Sequence, residues 1–362
     1  MAALMHLRGK PYNKGLGMVY VPYQPTGGPL HERFPELHHY TNWSGLSGIW
    51  NSQTIWASRA DCLNDTTEIK HFSDPFFTEI QRMIYKLLKE QPNYEKEIKE
   101  FVAESRGPAI ASRNATNQIR DVFSKHILGL NGGNGVISLP FIVSLCAHGA
   151  SREYEVKNGL LSQWRGYGGI ERYCIVFDTF ELQRVICSEM TTGRYQGLIM
   201  DKVKYNMNDA QFLKENSELI NAICEIWINR EHENERKMLK VVSSFPSMAS
   251  TLKHRAFEEE QEVRIIAYPF TEEFVNRYYS TNSRDSRVFA KEIYVRERED
   301  GERKGEKIHY LKLFAEMREV RQLPIRRIIV GPSFRKNDLK NKVRDLVGNS
   351  LEITVSDTPF IG

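Results

Sequence analysis

The chain has 362 residues, 41% apolar and 27% charged, enough for one large domain or two modest ones. Its 24 Gly and 14 Pro recur without period, which excludes a collagen-like or wholly disordered chain, and no apolar run reaches the length of about eighteen residues that a bilayer span needs. A formal charge of +4, from 50 basic and 46 acidic residues, is too balanced to announce nucleic acid.

Five scattered cysteines without a CxxC pair fit reduced thiols rather than a disulfide framework or zinc ribbon. The opening MAALMHLRGKPYNKGLGMVYV lacks the continuous apolar segment of a signal peptide, so a soluble, cytoplasmic protein is expected.

Residues 1–36 show neither helical nor strand period and read as an irregular arm, with a short strand at Met18–Pro22. A strand is expected at Glu36–Thr41, a helix at Trp43–Asn51 and a second strand at Thr54–Ser58. Asp61–Glu68 reads as a polar loop or cap. Helical spacing runs from Phe76 to about Ser105, broken at Pro92, and again over Ile110–Leu130 before the glycine-rich stop Asn131–Gly135.

Val136–Leu145 and Tyr173–Phe177 read as buried strands joined by a loop containing Leu161–Gly169. A helix or turn begins at Leu182–Arg184, and Lys202–Tyr205 reads as an edge strand. A long helical stretch covers Asn208–Ser244. Strands follow at Glu262–Tyr268, Val288–Arg296, Lys307–Phe314 and Arg326–Val330, with Asp300-Gly301 at a hairpin tip. A helix at Phe334–Leu346 and a strand at Leu351–Val355 close the chain. This is an α+β pattern with mixed or antiparallel sheets: one domain over 37–357, helical insertions at about 76–130 and 208–244, and a tail at 358–362.

The most informative cluster is FEEEQEVRII, residues 257–266. On a strand, Glu260, Glu262 and Arg264 share a face, and such a set can stabilise a cationic transition state or orient a hydroxyl. The bland alternative is an edge strand with a solvated charged face. In LHHYT, residues 37–41, His39 and Thr41 share one strand face and Tyr40 takes the other; imidazole nitrogens suit ribose hydroxyls and an aromatic face suits a planar base.

In SQWRGYGG, residues 162–169, Trp164 and Tyr167 offer flat surfaces and Arg165 a phosphate fork, although a packed aromatic loop is the simpler reading. Neither a Walker loop nor a dinucleotide fingerprint occurs, and no GxSxG marks a hydrolase elbow. Cys146 with His148 is too close in sequence for a convincing nucleophile and base, and no metal set is expected. Gly331-Pro332-Ser333 before a basic helix offers either an anion site or an ordinary helix cap.

Four segments together resemble an uncharacterised, mainly bacterial domain-of-unknown-function family, number 2971. They are LHHYTNWSGLSGIWNSQTIWASRADCLND, SLCAHGA…LLSQWRGYGG…YCIVFD, FEEEQEVRII and RRIIVGPSF. Thr66 departs from that family, which often carries Pro after Asn-Asp. The first segment also looks like the opening of the ADP-ribosyltransferase fold.

That second resemblance implies NAD as substrate. His39, with Tyr40 and Thr41 beside it, would hold a ribose, and Ser58 would stand near a second motif. Glu260 or Glu262 would be the later acidic residue, and Trp164 or Tyr167 would pack on nicotinamide. Arg165 or Arg264 would hold pyrophosphate or balance the carboxylates.

The activity implied is an ADP-ribosyltransferase or NAD glycohydrolase, acting as a toxin or antiphage effector on a protein or nucleic-acid acceptor. One alternative is a Mg²⁺-dependent nuclease built on Asp61, Asp65, Glu68, Glu260 and Glu262, which the apparent lack of a Lys beside the carboxylates disfavours. Another is a non-catalytic nucleotide sensor.

Overall fold

The computed structural model describes residues 29–63, 73–90, 95–123, 139–149, 151–167, 169, 171–205, 209–229, 241, 250–278, 288–298, 303–317 and 322–359. The expected strand Met18–Pro22, the stop at Asn131–Gly135, the hairpin tip at Asp300-Gly301, and Asp65 and Glu68 lie outside these residues.

A short helix α1 (Leu30–Arg33) precedes β1 (Glu36–Thr41). Asn42 accepts the Gly45 amide at 2.9 Å and starts α2 (Trp43–Ser52), which ends at Gln53 in the left-handed region. Then come β2 (Ile55–Arg59), α3 (Ser73–Glu90), α4 (Lys96–Glu104) and α5 (Pro108–Val122), the last opened by Pro108 at its first turn. Strand β3 (Phe141–Ala147) is followed by α6 (Glu153–Asn158) and α7 (Leu161–Gly166), in a segment that sequence alone assigns to a loop.

Strand β4 (Tyr173–Asp178) runs straight into α8 (Thr179–Met190), whose cap is Asp178, earlier than the expected start at Leu182. Strand β5 (Tyr195–Lys202) was not anticipated; only its last residue falls in the expected edge strand, whose remainder is β6 (Lys204–Tyr205). The long helix expected at 208–244 is two helices over residues 209–229, α9 (Asp209–Glu215) and α10 (Ser217–Ile228). They are followed by β7 (Leu252–Lys253), a 3-10 turn (Arg255–Glu260), β8 (Glu262–Pro269) and α11 (Glu272–Tyr278). The expected strand at 288–296 shortens to β9 (Tyr294–Glu297), and β10 (Lys307–Leu313), β11 (Ile325–Val330), α12 (Lys336–Val347) and β12 (Glu352–Val355) complete the chain.

Ten strands form one mixed sheet whose path is β12-β11-β4-β1-β3-β2-β10-β9, with β8 on the other edge of β3 and β5 beyond it. Pairing is antiparallel except between β11 and β12. Strand β8 is therefore internal and buried at every position, which overturns the reading of FEEEQEVRII as a solvated edge.

Residues paired across antiparallel strands share a face. One face carries Leu37, Val143, Leu145, Ile175, Phe177, Val263 and Ile265 into the main core, where α2, α8 and α12 cover them. The second face is covered in two places. Leu160 and Trp164 pack on Tyr40, Cys146, Cys174, Val176 and Ile329, while α3, α5 and α10 belong to the apolar cluster that includes Ile266 and Tyr268.

Between these covers the sheet forks. β3 pairs with β2 at Phe141 and Ile142, and with β1 at Cys146 and Ala147 on the same edge. Ser144, at the fork and on the second face, is exposed.

Candidate functional site

Of the three residues expected to share a strand face, only Glu262 and Arg264 lie on β8. Glu260 ends the 3-10 turn, and Gln261 between the two carboxylates is left-handed at φ 46°. The carboxylates still converge, because Lys253 donates to Glu260 Oε2 at 2.8 Å and to Glu262 Oε2 at 2.9 Å. Arg264 grips Glu262 from the other side, Nε to Oε1 at 2.7 Å and Nη2 to Oε2 at 3.2 Å, and donates Nη1 to the Ser250 carbonyl at 2.9 Å.

The paired strands β6 and β7 bring Tyr205 and Lys253 side by side, and the Glu262 amide donates to the Tyr205 hydroxyl at 2.7 Å. Burial pushes the Glu262 carboxyl up, but the charges and hydrogen bonds of Arg264 and Lys253 outweigh it and hold the group at about 2. Burial alone would lower Lys253; the two carboxylates raise it instead.

Exposure separates the two acids. The Glu262 side chain is 2% exposed and that of Glu260 is 19%. Tyr167, 44% exposed at the end of α7, stands in the field of this corner: burial and then the Glu260 charge raise its hydroxyl pKa.

β3 is the common neighbour of the strands that carry LHHYT, Ser58 and the Glu-Glu-Arg cluster. Glu262 and Arg264 lie opposite Cys146 and Ser144, Ser58 pairs with Ile142, and the His39 Nδ1 lies 3.3 Å from the Ser144 carbonyl across the fork. The register His38↔Cys146↔Glu262 puts His38, not His39, on the acidic face. His39 is half-buried, and burial, partly offset by the Ser144 bond, lowers its pKa and favours the neutral ring. Ser58 shares the acidic face, whereas Thr41 lies on the opposite one and packs close to Gly45 of α2.

Two expected ligand contacts are sealed instead. Trp164 is fully buried, with its Nε1 donating to the Asn158 carbonyl at 2.9 Å, so it cannot wall a ligand. A Cβ at Gly159 would fall 2.5 Å from its ring and one at Gly331 3.0 Å, which gives both glycines a packing role. The Tyr40 hydroxyl accepts the Leu160 amide at 2.7 Å and meets His148 Nε2 at 3.3 Å.

The His38 and His148 rings meet at a tilt of 58° with centroids 4.6 Å apart, and burial holds them neutral, at about 4 and about 3. The Cys146 thiol is pushed up by burial and by Glu260 and Glu262, so it does not pair with His148 as nucleophile and base. Arg264, wholly engaged by Glu262 and Ser250, is no pyrophosphate fork; Arg165 is exposed on α7. Ser333 accepts the Arg335 amide at 3.1 Å, the cap reading of that turn.

Lys253 and Tyr205 escaped sequence reasoning. Neither sits in a periodic or motif-like stretch, and each acts through a two-residue strand. Lys253 also overturns the expectation that no Lys stands beside the carboxylates. Asp61 is paired with Arg59 at 2.7 Å, and among the described residues no group of three His, Cys, Asp or Glu side chains is placed to hold a metal ion.

Residues 163–265 match the family model described as a protein of unknown function (DUF2971). That span contains Trp164, Arg165, Tyr167, Glu260, Glu262 and Arg264, and not His39, Tyr40, Thr41 or Ser58. No curated protein and no solved structure matches the chain. No helix among the described residues is long and apolar enough to cross a membrane.

Proposed function

We propose that the chain consumes NAD as an ADP-ribosyltransferase or NAD glycohydrolase. The observation that supports this reading is the gathering of β2 and β8 on β3, which sets Ser58 and Glu262 on one face of the sheet, with Glu260 held beside Glu262 by Lys253. Glu260, at the open edge of the corner, is the carboxylate that faces the ribosyl cation. Glu262 is a positioning residue that fixes Lys253, and Lys253 orients Glu260.

The exposed Tyr167 ring supplies the nicotinamide wall in place of Trp164 and Arg165 serves the pyrophosphate, while His39, on the opposite face of β1 from Glu262, takes no part in this site. The bond from ribose C1′ to the nicotinamide nitrogen breaks, and nicotinamide leaves with the electron pair as a neutral base. An acceptor oxygen or nitrogen, or water, bonds to C1′ and gives its proton to Glu260. In a cytoplasm this chemistry suits a toxin or antiphage effector held in check by a protein partner.

Nicotinamide release from NAD by the purified protein tests the reading, first in buffer and then with cellular RNA, DNA or protein. Release in buffer defines a glycohydrolase, and release only with an added pool defines a transferase. Glu260→Gln is expected to abolish release from a folded protein; full turnover in that variant would remove Glu260 from the mechanism. Silence with a thermal shift by NAD would leave a nucleotide sensor, and silence without one would overturn the NAD reading.

The Lys253 contact revives one element of the nuclease reading, a lysine between paired carboxylates. Strict Mg²⁺ dependence of nucleic-acid cleavage is the result that would favour it.

A further inference from the structure

On the second face of the sheet, beyond the fork from Glu262, three strands carry an aromatic ladder. Trp56 of β2 lies 4.5 Å from Tyr310 of β10, and Tyr310 lies 5.5 Å from Tyr294 of β9 with rings nearly parallel at 28°. The register Tyr294↔Tyr310↔Ser58↔Ile142 puts the ladder on the same face as Ser58, and Trp56 is two residues along β2 on that face. Two cations are laid over the rings: Lys312 Nζ is 4.2 Å from the Tyr294 centroid and Arg296 Cζ 5.6 Å from that of Trp56.

Trp56 is 47% exposed, and neither Lys312 nor Arg296 has a carboxylate partner among the described residues. Glu292 accepts from the Tyr294 hydroxyl, and the charge of Glu316 also acts on that hydroxyl.

Cross-strand aromatic pairs commonly serve only to stiffen a sheet. Here the outer ring is half open to solvent, and cations are interleaved with it on one face. Flat π surfaces beside cations that have no carboxylate partner among the described residues are what unpaired bases and their phosphates require, whereas a docking protein would need a larger dry apolar surface than one exposed indole. We propose that this platform binds single-stranded nucleic acid, with bases stacking on Trp56 and Tyr294 and phosphates held by Arg296 and Lys312. The inference stands apart from the NAD reading, since it requires no turnover.

Fluorescence anisotropy of a labelled single-stranded thymidine oligomer, titrated with the full chain at several salt concentrations, tests it. Binding that weakens with salt is expected. Trp56→Ala should weaken it about tenfold or more, while Trp56→Phe keeps most of it. Arg296→Gln with Lys312→Gln should also flatten the salt dependence, by about 1.4 in the log–log slope.

Thermal melts establish that each variant is folded. No binding at low salt would overturn the proposal, as would equal binding by wild type and both folded variant sets. Capture of a protein that depends on Trp56, with no oligomer binding, would overturn it in favour of a protein-docking face.

Discussion

Two polar clusters sit on the second face of the sheet, at neighbouring positions across β3, and they are built in opposite ways. The rings of His38, His148 and Tyr40 are buried, burial keeps both imidazoles neutral with the charges of Arg327 and Arg152 adding to it, and Trp164 packs on Tyr40. Around Glu262 the groups are all charged, two cations against two carboxylates, and one member opens to solvent. A sealed neutral cluster contributes shape and register. A charged cluster with one accessible carboxylate can do chemistry on a ligand, because its electrostatics are fixed before the ligand arrives.

The largest effect that would break this comparison comes from Glu262. Glu262→Gln strands Arg264 and Lys253 as buried, under-compensated charges, and urea unfolding should show a loss of about 3–5 kcal/mol. Unchanged stability would mean that the corner is not a coupled ion network. On the sealed side, Trp164→Ala should cost a similar amount, about 3–5 kcal/mol, with no charge involved and therefore little dependence on pH in the neutral range.

The pH dependence sharpens the contrast further. Each histidine takes its proton near 6.5 when unfolded and only at about 4 (His38) or about 3 (His148) when folded. Their penalty is absent above pH ~6.5 and grows as pH falls toward 4, by about 3 kcal/mol for His38 alone. Glu262 works in a lower window: its folded value of about 2 lies below the ordinary 4.5, so its contribution is present above pH ~4.5 and lost as pH falls through 2. Urea midpoints taken in half-unit pH steps should show the upper limb flattened by His148→Gln and the lower limb removed by Glu262→Gln.

The smallest stability effect is expected at Glu260. Its single pair with Lys253 is partly solvated, so Glu260→Gln should cost about 1 kcal/mol or less in the same assay while removing nicotinamide release. A loss as large as that of Glu262→Gln would erase the distinction between the two acids.

Much of the scaffold was legible because local signals and tertiary demands agree. Asn42 caps α2, the apolar runs of β3 and β4 are buried, and the Glu-Glu-Arg cluster is where the ions meet. What escaped depends on partners distant in sequence. Tyr195–Lys202 mixes half-buried and buried positions without clean alternation, so β5 carries no period. Whether His38 or His39 faces Glu262 is fixed by the register of β1 against β3, which no stretch of five residues encodes. Trp164 reads as a ligand wall only until Gly159 and Gly331 are found against its ring.

The left-handed peptide at Gln261 gives the two acids different mechanical lives. Its carbonyl accepts the Ala147 amide at 2.9 Å and its side chain bonds Lys202 and Glu258, so the crossing from coil to strand is pinned at that residue. Downstream, Glu262 moves only if the sheet moves. Upstream, Glu260 ends the 3-10 turn and is held by its ion pair with Lys253, so its place is set by the turn and not by the sheet, while Glu262 keeps the ammonium in place. The corner thus joins one carboxylate built into the sheet to one carried on a turn.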